Sequence, residues 1–327
     1  MMDFEKIASE YVRSLRGRRS QAQLSRRLGY ASNVVFDWEA GRRFPTAAVA
    51  LRIAQNVGVD LHAAMAGFFR RDIPELAGCT LASPEGVAAL LGVVRGAANV
   101  GELAQATGAS RFQVSRWLRG QCEPRLPDFL HLISTCSLRL IDFVASLTDV
   151  ERMPSLHDDY LRLAAARQLA YAMPWSHAVL RAVELESYLR LPRHRPGFFA
   201  SVLGISLSEE QRCLEQLVAA GQLTMDAGKY RLDQTQVIDT RADPARSRAL
   251  RAFWSRVAAE RLEAGAEGDF AFNCFGVSLE DFERIRALQR SYFRELRAIV
   301  AQSQPTQAVV LANWQLFALS AAVGDNA

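Results

Sequence analysis

The chain has 327 residues, of which 50% are hydrophobic and 23% charged, and its formal net charge is +4 at pH 7. This length suits two or three domains, and the composition is that of a globular protein rather than of a disordered or fibrous one. No segment has the pattern of a signal peptide or the apolar length of a membrane span, so we expect a cytoplasmic protein with no membrane partner.

Positive charge is concentrated near the N-terminus, where nine arginines and only two acidic residues lie between Tyr11 and Arg52. A local surplus of this kind suits a phosphate backbone. The five cysteines are odd in number, scattered and never arranged as C-x-x-C. This usage predicts free thiols in a reducing compartment and argues against a disulfide framework or a zinc site.

A repeat occupies the first 148 residues. At an offset of 79 residues, the distance from Gly29 to Gly108, residues 15–45 align without a gap to residues 94–124. A match that holds its register through helices and loops predicts a duplicated domain, at residues 1–72 and 84–148. The identical pairs are Arg16/Arg95, Gly17/Gly96, Leu24/Leu103, Gly29/Gly108, Val35/Val114, Trp38/Trp117, Gly41/Gly120 and Pro45/Pro124.

Each copy has the pattern of five short helices. In the first copy, Ser20 is a good N-cap for a helix that ends at Gly29, and Ser32 is one for a helix that ends at Gly41. Val35 and Trp38 share one face of that second helix and are expected to pack it against the core, while Asn33 and Asp37 share a face that points outward. Two helices joined by a tight glycine turn form a helix-turn-helix arrangement.

The C-terminal region, residues 149–327, has an α+β pattern. Residues 197–232 predict a winged-helix-like element: a short helix, a capping box at Ser208 that opens a helix ending at Gly221, and a two-stranded wing. Three glutamates on that helix are expected to face solvent and repel phosphates, which favours a structural or dimer-forming role: Glu209, Glu210 and Glu215. Beyond the wing, residues 269–277 and 307–320 predict two longer strands on either side of an amphipathic helix. The predicted fold class is therefore mainly α, with tandem five-helix domains before an α+β region.

The motif of the first copy resembles the Cro/CI-type (XRE family) helix-turn-helix, on Gln21, Leu24, Gly29, Val35, Trp38, Glu39, Gly41 and Pro45. The second copy is similar, but Val100 replaces Gln21 and Leu118 replaces Glu39, which removes a conventional phosphate contact and an internal ion pair. Residues 159–320 resemble an uncharacterised domain found behind such motifs in some bacterial regulators. That resemblance is carried by Trp175, Ser176, His177, Gly221, Gln222, Leu223, Tyr230, Val277, Ser278, Gln315, Leu316 and Phe317.

The resemblance implies DNA contacts at specific positions of the first copy. Ser32, Asn33 and Asp37 occupy the base-reading positions, and Gln21, Arg42 and Arg43 the phosphate-contacting ones. Asp37 has two expected roles, as an acceptor for a cytosine amino group or as the ion-pair partner of Arg42 or Arg43.

In the second copy, the base-reading positions hold Arg111, Phe112 and Arg116, and Arg119 is a phosphate candidate. Arginine can read guanine and phenylalanine can contact a thymine methyl group, so this face is compatible with DNA. The other interpretation is a diverged repeat used for packing or dimerisation, with Phe112 buried in the contact.

The resemblance implies a sequence-specific transcriptional regulator that binds double-stranded DNA as a homodimer. The C-terminal half would dimerise or sense a small molecule or peptide. An alternative is a protein-interaction adaptor, antitoxin-like or an anti-factor, whose helix-turn-helix units bind a protein. The histidines are isolated and no catalytic motif is present, so we expect no enzyme activity, no metal and no cofactor.

Overall fold

A computed structural model describes residues 2–96, 98–232 and 238–320. The protein is mainly helical with one small two-stranded sheet among these residues, as predicted at the level of fold class. It divides into two compact units. Of the described residues, the first unit contains 2–166 together with 238–239. The second unit contains 167–232 together with 240–320.

The first unit contains the repeated helices. The first repeat consists of α1 (Phe4–Arg16), α2 (Gln21–Arg27), α3 (Val34–Glu39), α4 (Ala47–Asn56) and α5 (Leu61–Phe69). The second consists of α6 (Pro84–Arg95), α7 (Val100–Thr107), α8 (Arg111–Leu118), α9 (Leu126–Ser137) and α10 (Leu140–Leu147). Short 3₁₀ turns follow at Pro74–Leu76 and Val150–Arg152, and α11 (Pro154–Ala172) continues into the second unit.

The helix boundaries follow local sequence signals. The side chains of Asp3, Ser20, Thr46 and Asp60 each accept a hydrogen bond from the backbone N–H three residues on, which fixes the start of α1, α2, α4 and α5. Gly17 and Gly96 end α1 and α6 with nearly the same positive φ, 60° and 57°, a conformation that favours glycine. The duplicated sequence therefore folds into duplicated backbone.

The two repeats pack against each other about an approximate two-fold axis. The N–H of Ala47 donates to the carbonyl of Pro124 at 3.0 Å, and the N–H of Leu126 donates to the carbonyl of Pro45 at 2.9 Å. These residues form an isolated antiparallel bridge centred on Thr46 and Arg125. Around it α1 packs on α9, α4 packs on α6, and α5 packs on α10.

The second unit comprises α12 (Trp175–Ala182), α13 (Glu186–Leu189), α14 (Phe198–Leu203), α15 (Leu207–Ala219), β1 (Leu223–Asp226), β2 (Lys229–Leu232), α16 (Pro244–Glu263) and α17 (Leu279–Gln302), with a 3₁₀ turn at Thr240–Ala242. The two strands form an antiparallel hairpin in which Leu223 pairs with Leu232 and Asp226 with Lys229. Phe199, Cys213 and Leu217 are buried on α14 and α15.

Two predictions about α15 are wrong in detail. The N-cap is Ser206, whose hydroxyl accepts from the N–H of Glu209, and Ser208 lies within the helix. Glu210 is fully buried rather than exposed. Its carboxylate accepts hydrogen bonds from the N–H groups of Gly197 and Ala200, at 3.0 and 2.5 Å, so its charge is used to cap the start of α14.

The prediction of two longer strands is also wrong. Residues 269–277 and 307–320 form no strand, and the hairpin is the only sheet in the described part of the chain. Their apolar side chains lie in solvent, with Phe272 93% and Val310 81% exposed. An alternating pattern gives a segment the propensity for a strand, but a strand also needs a neighbour to pair with and a layer to cover it.

Candidate nucleic-acid interface

The outward surface of α3 carries three of the predicted site residues. Val35 and Trp38 are buried beneath the helix, while Ser32 and Asn33 lie exposed in the turn before it. The predicted cap at Ser32 is wrong, because the helix begins at Val34 and the N-cap residue is Asn33, whose side chain makes no capping bond. Ser25 Oγ donates a hydrogen bond to Asn33 Oδ1 at 3.2 Å, which ties the amide of this exposed residue to α2.

Asp37 and Arg42 form a pair at the other end of this surface. Arg42 Nη1 lies 3.4 Å from Asp37 Oδ1, so the two side chains form an exposed ion pair, and the other expected role of Asp37, as an acceptor for a cytosine amino group, remains a prediction. The Arg42 guanidinium also lies 4.5 Å from the centre of the Phe36 ring. Arg43 is exposed beside them. The ion pair and the contact with the ring both favour one position of the Arg42 guanidinium on this surface.

Phe36 is a further residue of this surface, and the sequence did not single it out. Its side chain is 46% exposed, which is unusual for a large aromatic group. The helical periodicity could have indicated this exposure, because Phe36 lies about 100° around the helix from the buried Val35.

Gln21 is tied to the interior rather than free on the surface. Its Nε2 donates to Glu39 Oε2 at 2.8 Å, and Arg16 Nε donates to Glu39 Oε1 at 2.5 Å. Glu39 is buried, and its carboxylate therefore joins α1, α2 and α3. The expected phosphate contact of Gln21 remains a prediction, but its amide first serves to hold α3 in place.

The second repeat lacks both the carboxylate and the amide of this network. Its counterparts of Gln21 and Glu39 are the apolar residues Val100 and Leu118. The arginine persists as Arg95, whose Nε donates to the carbonyl of Ala98 at 2.5 Å. Arg16 makes the equivalent bond, from Nη1 to the carbonyl of Arg19 at 2.6 Å, so this part of the turn is retained.

The surface of α8 differs from that of α3 in length and chemistry. The hydroxyl of Ser110 accepts from the N–H of Gln113 at 3.1 Å, and the helix therefore begins at Arg111, two residues earlier than α3 relative to the repeat. The equivalent of Ser110 in the first repeat is Ala31, which has no oxygen to form such a cap. As a result, the counterparts of Ser32 and Asn33 lie inside the helix.

The three base-reading candidates of the second repeat are all exposed. Phe112 is 74% exposed, so it is not buried against the first repeat, and the guanidinium of Arg116 lies 5.7 Å from its ring centre. Arg119 is exposed at the end of the helix. A shallow pocket between α8 and α9 includes Arg116, Glu123 and Asp128 in its lining, and burial raises the pKa of the Asp128 carboxyl.

Metal-binding clusters and membrane-spanning helices were also sought in the described part of the chain. Within residues 2–96, 98–232 and 238–320, no group of three or more His, Cys, Asp or Glu side chains is arranged to hold a metal ion. Over the same residues, no single helix has the length and apolarity to cross a membrane.

Comparison with known proteins gives one match. Residues 159–319 are similar to a family described as a domain of unknown function, DUF4423. The match begins after the last repeated helix, so it does not bear on α1 to α10. No curated protein and no solved structure matches the chain.

Proposed function

We propose that the protein binds double-stranded DNA sequence-specifically and regulates transcription, with α2 and α3 acting as a helix-turn-helix of the Cro/CI type. The observation that carries this proposal is the surface around α3, where Ser32 and Asn33 are exposed just before the helix and Arg42 and Arg43 just after it, while Val35 and Trp38 bury its other side. A short helix with two or three polar residues at its exposed start is suited to reading base edges in the major groove.

Each residue of this surface has a distinct proposed contact. Asn33, which is exposed, reads adenine with its side-chain amide, and Ser32 contacts a neighbouring base. Arg42, held by Asp37 and Phe36, binds a phosphate, as do Arg43 and Gln21. Asp37 acts through Arg42, which reduces the repulsion that a free carboxylate would have for the DNA backbone.

Selection of bound genomic fragments, followed by affinity measurements across a salt series, tests the proposal. Asn33→Ala should relax base preference and weaken binding to the selected site by about 1–3 kcal/mol. Arg42→Ala should weaken binding to all sequences and reduce the slope of log K against log salt by about one. Arg248→Ala, which removes an exposed arginine of α16, is the charge-matched control and should change neither quantity. Absence of binding, or indifference to both substitutions and to salt, refutes the function.

For the second unit we propose dimerisation, through the exposed apolar side chains of its two extended segments. Phe270, Phe272 and Phe275 lie on one of them, and Trp314 and Phe317 on the other. A monomer rarely leaves so many large apolar groups in water, and a second chain would supply both a covering layer and strand partners. Light scattering should show a homodimer for the wild type and a monomer when Phe272 and Phe317 are both replaced by Asp. A monomeric wild type contradicts the proposal.

Two finer assignments in the second unit are also proposals. The order α14, α15, β1, β2 supports a winged-helix-like element, with Glu215 on its exposed face disfavouring DNA contact. A small-molecule or peptide effector would bind near Trp175, whose ring contacts those of Phe253 and Trp254. A ligand-dependent rise in melting temperature tests this site.

The exposed Phe112 favours a second candidate function, an antitoxin-like or anti-factor adaptor whose helix-turn-helix units bind protein. A side chain that is 74% exposed and flanked by Arg116 has the character of an interface anchor. A stoichiometric protein partner lost on Phe112→Ala, together with absence of DNA from the purified complex, supports this candidate over the first.

A further inference from the structure

The bridge between the repeats is built from equivalent residues. Ala47 and Leu126 occupy the same position in the two copies, as do Pro45 and Pro124, because each pair is 79 residues apart. The hydrogen bond from Ala47 to Pro124 is therefore the symmetry mate of the bond from Leu126 to Pro45. This reciprocity is the defining property of a two-fold interface between identical subunits.

The helices around the bridge repeat the same exchange. The ring of Phe4 on α1 stacks on His131 of α9 at 4.2 Å between centroids. At the equivalent place, Arg52 of α4, the counterpart of His131, donates from Nη2 to the carbonyl of Ala82 just before α6. Phe68 of α5 packs edge-on against Phe143 of α10 across the same axis. The first unit is thus a pseudo-dimer within one chain, with a single buried core that fixes the repeats relative to each other.

The symmetry relates α3 to α8, because each helix ends seven residues before the bridging residue of its repeat: Glu39 before Thr46, and Leu118 before Arg125. The surfaces of these two helices are chemically different. The surface around α3 presents Ser32 and Asn33, and its Asp37 forms an ion pair with Arg42. The surface of α8 presents Arg111, Phe112 and Arg116. A symmetric scaffold therefore carries two unlike faces.

We infer that a single chain reads a composite DNA site made of two unlike half-sites, which are inverted with respect to each other at a fixed spacing. The α3 face takes a half-site that contains adenine. The α8 face takes one in which Arg111 or Arg116 binds guanine and Phe112 contacts a thymine methyl group. The inference rests on the proposed DNA-binding function and adds that the pseudo-dimer does within one chain what a symmetric dimer does with two.

The experiment is selection of bound duplexes from a random library by the full chain, for the wild type and three variants. Asn33→Ala should relax base preference in one half-site only, and Arg116→Ala in the other half-site only. In each case, the discrimination between the preferred base and its substitutes should fall by about tenfold. Arg248→Ala should leave both halves unchanged. Thermal melts establish that the substitutions, all at exposed positions, preserve folding.

A spacing series supplies the second readout. Five added base pairs between the half-sites turn one of them to the opposite side of the duplex, so affinity should fall at least tenfold because the repeats are fixed by the bridge. A palindromic site whose two halves both respond to Asn33→Ala and neither to Arg116→Ala overturns the inference but leaves the proposed function standing. Absence of any DNA binding overturns both.

Discussion

Glu39 is a buried carboxylate that accepts hydrogen bonds from Arg16 and Gln21, and it has no polar counterpart in the second repeat. Removing one member of such a network leaves the remaining groups without their partner, whereas replacing the interacting groups together costs far less. In the second repeat both positions are apolar, Val100 and Leu118, so neither a buried carboxylate nor its amide partner is left unpaired there.

Glu39→Leu alone is expected to lower the free energy of unfolding by about 3 kcal/mol, because Arg16 and Gln21 lose a buried acceptor. Adding Gln21→Val, which recreates the residues of the second repeat, should recover at least half of that loss. Urea denaturation of the two single variants and the double variant measures the coupling. Additive losses contradict the view that the two positions act together.

At the scale of the helix, the start of α8 depends on one hydroxyl group. Ser110→Ala removes the acceptor for the N–H of Gln113 and should cost about 1 kcal/mol of stability, with fraying of the turn that carries Arg111 and Phe112. Ser32→Ala is the matched control, since Ser32 is an exposed serine beside α3 that caps nothing. Its effect should stay within about 0.5 kcal/mol. Equal losses for the two variants in denaturant titrations contradict this account.

The bridge between the repeats makes a second prediction at this scale. The first N–H groups of a helix have no partner within it and ordinarily exchange with solvent quickly. The N–H groups of Ala47 and Leu126 are first-turn groups that donate across the two-fold axis instead. Hydrogen exchange at both should be at least tenfold slower than at Arg111, the first residue of α8. Fast exchange at both means that the repeats separate in solution.

At the scale of the whole molecule, the sequence predicted what local pattern determines. The repeat, the Val35 and Trp38 stripe, the cap at Ser20 and the position of the hairpin all depend on neighbours close in sequence. It did not predict that Glu210 turns inward, because the N–H groups that it satisfies belong to a preceding helix. Nor did it predict the two-fold packing of the repeats. That packing is set by contacts about 79 residues apart, such as Ala47 to Pro124, which no periodicity reveals.

Burial of ionisable groups in both units makes stability depend on pH. Burial lowers the pKa of His131 and of His194 below 6.5, and the nearby carboxylates of Asp128 and Glu210 offset this only in part. The unfolded chain therefore binds more protons than the folded one as pH falls from about 7 to 5.5, so acidification destabilises the fold. At the other end, burial raises the pKa of Cys136 from 9.0 to about 11 and that of Cys213 to about 12. The unfolded state loses those protons first, so stability should also fall above pH 9.

Thermal melts across this range should therefore show greatest stability between about pH 7 and 9. His131→Phe should reduce the fall in melting temperature between pH 7 and 5.5, and the new ring still provides a stacking partner for Phe4. The alkaline side should respond to Cys136→Ala and not to His131→Phe, because different groups lose their protons there. A melting temperature that rises on acidification from pH 7 to 5.5, or an acid side unchanged by His131→Phe, contradicts the assignment.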